Sequence, residues 1–305
     1  MTLLILTQIL PQIVVFVILY SVIFIYRQYN LRKNTKSPFT EDNLIRLPGH
    51  SLNEKIKKFD RKIDESIFMI IVIALISTNA FVSTSVMKKG KVSFEIDFII
   101  IIIFIIISIS FFIVRIIKKL AVRNKFSLGY FGEITTAQYL QKLAPNDHFI
   151  YHDFPANNFN IDHIVIGKTG VYAIETKTRS KITSKNDKNH SKAEYNGKEL
   201  FFSNSRETKY LEQTKRQAAW LSNWLKSSTG ETVPVIPVLS LPGFFVLTKV
   251  KNPGIYVVNP KRIYEIFKSS RIELDDKKIK QIVHQVEEKC RDVEITSKKF
   301  DSKKM

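Results

Sequence analysis

The sequence predicts a single α/β or α+β domain with a mixed sheet, its elements in the order helix, three strands, helix, strand, preceded by about three membrane-spanning helices. Three observations carry this reading. Long uncharged apolar runs are confined to the first 117 residues of a 305-residue chain. A hairpin pattern, "NIDHIVIGKTGVYAIETK", stands in the second half, between two stretches of helical periodicity. Further short runs rich in Ile and Val follow the second of these helices.

The apolar runs are Leu3–Tyr26, Ile67–Val86 and Phe98–Val114, none with a charged residue. Each is near the roughly 20 residues a helix needs to cross a bilayer. The third extends to Ile117 if Arg115 snorkels, so residues 1–117 read as a membrane anchor with spans at 3–26, 67–86 and 98–117. Pro11 in the first run is tolerated better in a membrane helix than in a soluble one. No basic residue or small-residue cleavage site marks that run as a removable signal. Residues 1–26 hold no Lys or Arg, 27–66 hold ten, 87–97 hold three, and 115–125 hold five. The excess of positive charge on the cytoplasmic side then places 27–66 and everything after 115 in the cytoplasm, in a multi-pass protein of the cell membrane. The lone cysteine, Cys290, fits a reducing compartment and leaves no cysteine pair for zinc or an iron–sulfur cluster. A net charge of +19 points to acidic partners, either nucleic acid or anionic lipid. The spans contain no Asp, Glu, Lys or Arg to line a transport path.

Residues 118–128 read as a basic linker, 129–268 as the domain, and 269–305 as a charged C-terminal helix and tail. In "GYFGEITTAQYLQKL", apolar Phe131, Ile134, Ala137, Leu140 and Leu143 form one helical stripe, with Gly129 and Gly132 permitting close backbone approach. "HFIYHDF" reads as a strand, and the hairpin supplies two more. A basic arm at Thr178–Lys192 follows, then a turn at Asn196–Gly197. A helix is expected at about 207–226, strands at 233–241 and 254–258, and a short helix through Phe267. An amphipathic helix from Asp275 ends the reading.

The hairpin carries the chemistry. Pairing Gly167 with Gly170 sets Ile166 opposite Val171, Ile164 opposite Ala173 and Asp162 opposite Glu175. Opposed residues share a face, and Lys177, two beyond Glu175, joins them. Ile161, His163, Val165, Tyr172, Ile174 and Thr176 fall on the other face. Facing carboxylates repel, and a divalent cation removes that cost. Magnesium so held can acidify a bound water and stabilise charge on a phosphodiester, with Lys177 assisting. A solvated strand end would look the same from these residues alone. His148, His152 and His190 show no ligand spacing. Arg179, Lys181, Lys185, Lys188 and Lys192 could hold a phosphate backbone or form an ordinary solvated loop.

"GYFGE", then the hairpin with Ile-Asp-His and Glu-x-Lys, then a helix bearing Gln213 and Gln217, resembles the bacterial nuclease-related domain family. That family belongs to the restriction-endonuclease-like superfamily with its PD-(D/E)-x-K signature. The resemblance covers about residues 129–241 and implies an αβββαβ restriction-endonuclease-like core with magnesium- or manganese-dependent cleavage of nucleic acid, DNA foremost. It matches Asp162 and Glu175 to the metal-binding acids and Lys177 to the catalytic lysine. It matches Glu133 to an acid of the first helix that reaches the metal through water, and Gln213 to the glutamine of the later helix. Ile161 stands where the signature has proline. The rival reading is a membrane-tethered module that binds nucleic acid or a protein partner without cutting.

Overall fold

A computed structural model describes residues 21, 24–25, 44–87, 91–180, 191–269 and 272–293. The expected first span at 3–26 lies almost wholly outside the described residues, as do most of the basic arm (181–190) and the tail after 293. The chain divides into two compact units. One contains Lys58–Arg123 and the other Asn43–Lys57 with Asn124–Glu294.

The first unit is built from two long helices, α1 (His50–Met87) and α2 (Lys91–Leu140), each of which continues into the second unit. Lys119 Nζ donates to the Lys62 carbonyl (2.7 Å) and Ser66 Oγ (2.5 Å), and Arg123 Nε to Asp60 Oδ1 (3.1 Å). Two helical stretches, His50–Ala80 and Ile99–Pro145, contain segments long and apolar enough to cross a membrane. Along the second, Ile99, Ile100, Ile103, Phe104, Ile106 and Ile107 are all exposed. A helix apolar all round with open side chains suits lipid. Two such helices, and not three, are found among the described residues. The stretch 118–128, expected as a linker, is helical throughout and belongs to α2.

The second unit is a mixed α/β domain with two sheets. Strands β1 (Phe149–Pro155), β2 (Asn160–Gly167) and β3 (Gly170–Thr176) form an antiparallel meander. The 21-residue helix α3 (Lys209–Thr229) then crosses to β7 (Val235–Ser240), which pairs parallel with β3 and also with β9 (Tyr256–Val258). The order across the sheet is β1-β2-β3-β7-β9. Between β3 and α3 lie β4 (Lys192–Tyr195), β5 (Leu200–Phe202) and β6 (Ser205–Glu207). With β8 (Phe245–Thr248) they make a second sheet, β6-β5-β4-β8. The single mixed sheet expected from sequence is therefore two. The three-residue strands carry too little alternation to be read, apart from the Asn196–Gly197 turn, where Gly197 has φ +96°.

A short 3-10 turn, Pro260–Arg262, leads into α4 (Tyr264–Ser269), and α5 (Asp276–Cys290) is capped by Asp275 accepting from the Lys278 N–H. Ile279, Ile282, Val286 and Cys290 of α5 pack in the main core with Ile164, Ile166, Ala173, Leu221 and Leu225. The C-terminal helix, set apart by the sequence reading, is thus part of the domain. The expected α2 stripe also shifts. Ala137, Leu140 and Leu143 are buried, but Phe131 is 62% exposed and Glu133 and Thr136 take the inner face. A strict three-residue spacing drifts around a 3.6-residue helix.

The hairpin register is as derived for Gly167–Gly170, Ile166–Val171 and Ile164–Ala173. The face assignment of Ile161 is corrected. It packs with Ile164 and Ile166, away from Val165, Tyr172 and Ile174. In β1, Tyr151 and Phe154, also three apart, share that same core. Asp153, at φ +51°, breaks the period-two alternation between them.

Candidate active site

Glycine brings the first helix to the sheet. A Cβ on Gly132 would lie 2.1 Å from Thr178 Cγ2, so only glycine lets α2 pass this close to the end of β3. The next residue, Glu133, is thereby turned inward and is 6% exposed. A cleft of about 450 Å³ is lined by Glu133, Asp162, Glu175, Lys177 and Gln213, together with Ser51, Lys55, Asp153 and Asn160. All five residues singled out in the sequence therefore meet in one place.

Glu175 is the most constrained of them. Its Oε1 accepts from Gln213 Nε2 (2.8 Å) and pairs with Lys177 Nζ (2.5 Å), while Oε2 accepts from Gln217 Nε2 (2.6 Å). Gln213 and Gln217 are one helical turn apart on α3, so one face of that helix grips both oxygens. Asp162 Oδ2 accepts from the Thr176 N–H (2.7 Å), the backbone between Glu175 and Lys177. Thr176 Oγ1 and Thr136 Oγ1 are 3.2 Å apart, and Thr136 meets Ser240 Oγ at 2.9 Å, a buried hydroxyl chain joining α2, β3 and β7.

The electrostatics follow from this crowding. Burial, then Glu175 and Glu133, hold the Asp162 carboxyl well above the usual range, against the Thr176 N–H and Lys177. Burial raises Glu133 to about 8, with Asp153 and Glu175 adding to it and Lys177 and the Gly49 N–H opposing. For Lys177, burial is the largest influence and acts against the charge, but Glu175, joined by Asp162 and Tyr210, raises the ammonium overall. On the neighbouring strand, His163 Nδ1 meets His152 Nδ1 at 2.8 Å. Burial lowers His152 to about 4 and His163 well below its ordinary value, so the pair is neutral, one ring donating to the other.

Which groups could hold a divalent cation? Among the described residues no set of three or more His, Cys, Asp or Glu side chains has metal-ligand spacing. Magnesium, however, needs only one or two carboxylates beside water and substrate phosphate. A carboxylate has about four lone-pair positions. Glu175 gives three to Lys177, Gln213 and Gln217, and Asp162 gives one to Thr176. Glu133 Oε2 is buried with no hydrogen-bond partner. The donor set is all oxygen, partly unfilled and mutually repelling, which fits a hard cation.

Several residues of the site were not read from the sequence. Gln217 enters the sequence reading only as part of the helix pattern with Gln213, although its i, i+4 spacing places both on one face. Asp153, Asn160 and the segment 44–57 carried no local signal, because the contact between them spans about a hundred residues.

The model of the nuclease-related domain family matches residues 128–242. Neither the curated proteins nor the solved structures contain a match to the chain.

Proposed function

We propose, from the nuclease-related domain at residues 128–242, that the protein is a membrane-anchored, divalent-metal-dependent nuclease that hydrolyses phosphodiester bonds, with DNA as substrate. The observation that carries this reading is the pinning of Glu175 by Lys177, Gln213 and Gln217 in the cleft that also holds Asp162. Three contacts to one buried carboxylate, two of them from a single helix face, hold it in a fixed orientation at the wall of the cleft and leave a lone-pair position unfilled.

Asp162 and Glu175 would hold the cation, and Glu133 would approach it through water. Bound magnesium would acidify a water and offset charge on the phosphate. Lys177, kept protonated by Glu175, donates hydrogen bonds and does not act as a base. Gln213 and Gln217 hold Glu175 in one rotamer, which fixes the direction of its free lone pair. Water oxygen bonds to phosphorus as one phosphorus–sugar oxygen bond breaks. The leaving oxygen takes a proton, so the products are a phosphate monoester and a hydroxyl. The apolar segments of α1 and α2 would tether the domain to the cytoplasmic face of the cell membrane.

The test is cleavage of labelled DNA by the full chain in detergent. Cleavage should need Mg²⁺ or Mn²⁺, stop with a chelator, and be lost in Asp162→Asn. Tight DNA binding without cleavage under any divalent condition would replace the nuclease reading with the binding-module reading.

A further inference from the structure

The segment 44–57, which precedes the apolar part of α1, is tied into the cleft, although it lies outside the family-matched residues. Leu44 makes an antiparallel bridge with Val293. The Arg46 guanidinium forks onto Asp292 (2.7 and 2.6 Å) and reaches the Asp153 carbonyl (3.0 Å) and Oδ2 (3.3 Å). The backbone N–H and Oγ of Ser51 both donate to Asp153 Oδ2 (2.9 and 2.6 Å), and Asn160 Nδ2 donates to Asp153 Oδ1 (3.1 Å) and to Ser51 Oγ. Asp153 is 3% exposed and sits at φ +51°. A buried non-glycine residue in the left-handed region is strained and persists where its surroundings over-determine it. Here they do, and the bonds that hold it fasten the start of α1 against the site. Gly49 sits at φ +68°, and a Cβ there would lie 2.6 Å from the Tyr130 ring.

The segment also brings charge. Lys177 is committed to Glu175. Lys55, one helical turn after Ser51, also lines the cleft, and its exposed ammonium lies 5.6 Å from the Phe126 ring centre. Lys57, two residues on, pairs instead with Glu54 (3.0 Å) and is not part of the cleft.

We infer that residues 44–57 form a substrate-binding wall of the active site, in which the latch of Arg46, Ser51 and Asn160 on Asp153 holds Lys55 at the cleft rim to contact a nucleic-acid phosphate. The inference rests on the nuclease reading for the identity of the substrate. It predicts that a fragment starting at α2 lacks part of its binding surface.

The test uses the full chain in detergent with chelator present, so that binding is read without cleavage. Affinity for a fluorescent DNA duplex is measured against salt concentration. Each phosphate contact contributes about 0.9 to the slope of log K against log salt on duplex DNA. Lys55→Gln should reduce that slope by about one contact and weaken binding several-fold, Lys55→Arg should restore it, and Lys57→Gln should leave it as in the wild type. An unchanged slope in Lys55→Gln, or an equal loss in Lys57→Gln, would overturn the inference. If wild type binds and shows the Lys55 dependence but never cleaves with divalent cation added, the nuclease reading fails and the binding wall stands. Absence of any DNA binding by wild type overturns the inference, and cleavage assayed with divalent cation then decides the nuclease reading separately.

Discussion

Glu133→Gln isolates the electrostatic cost of the cleft. The native carboxyl is 6% exposed, has one oxygen without a partner, and is raised from 4.5 to about 8, first by burial and then by Asp153 and Glu175. At about 1.4 kcal/mol per pH unit, ionising it inside the fold costs on the order of 5 kcal/mol more than in the unfolded chain. Its folded value lies above its unfolded one, so the native state binds the proton more tightly. Without metal, stability therefore falls as pH rises from 4.5 to about 8, and the loss is complete above that. The amide is nearly isosteric and does not titrate. The assay is thermal unfolding of the full chain in detergent and chelator between pH 5 and pH 9. At pH 5 the two proteins should melt close together, and at pH 9 the variant should be the more stable, by about 2–4 °C for each kcal/mol. Asp162, also raised, leaves a smaller slope in the variant. Parallel curves, or a variant less stable at pH 9, would refute the reasoning.

Other consequences are as direct. Gly132→Ala places a methyl 2.1 Å from Thr178 Cγ2 and should cost about 1–3 kcal/mol. Thr178→Ala removes that methyl, so the double variant should recover most of the loss in chemical denaturation. Gln217→Leu strips a 2.6 Å hydrogen bond from buried Glu175 and should lower unfolding free energy by about 1.5–3 kcal/mol. An unchanged value would show Glu175 to be satisfied without it. Ile282→Ala, at a fully buried position of α5, should cost about 2–5 kcal/mol. A detachable tail would lose almost nothing, and the same denaturation curve separates the two.

Much of this site was legible in the sequence, because its signals are local. The Gly167–Gly170 turn sets a register that the strands keep as far as His163 opposite Ile174, beyond which Asp162 accepts from the Thr176 N–H between Glu175 and Lys177. The i, i+4 pair Gln213 and Gln217 was equally visible, although only contact with Glu175 gave Gln217 a role. What was hidden is long-range. Asp153 looks like an ordinary strand residue, and its left-handed backbone is explained by its partners, chiefly Ser51 and Arg46 about a hundred positions earlier, with Asn160. The second sheet was missed for a different reason. Its strands are three or four residues long, below the length at which alternation separates from chance. Residues 118–128 read as a linker because they are basic, yet charge does not break a helix and no glycine or proline interrupts them.

Titration of Mn²⁺ into the full chain at pH 8, followed by calorimetry, tests most directly whether the Asp162–Glu175 cleft holds a catalytic cation. One site should be filled with release of protons, because the raised carboxyls must ionise to coordinate, and Asp162→Asn should abolish it. Manganese binding that survives Asp162→Asn unchanged would contradict the account.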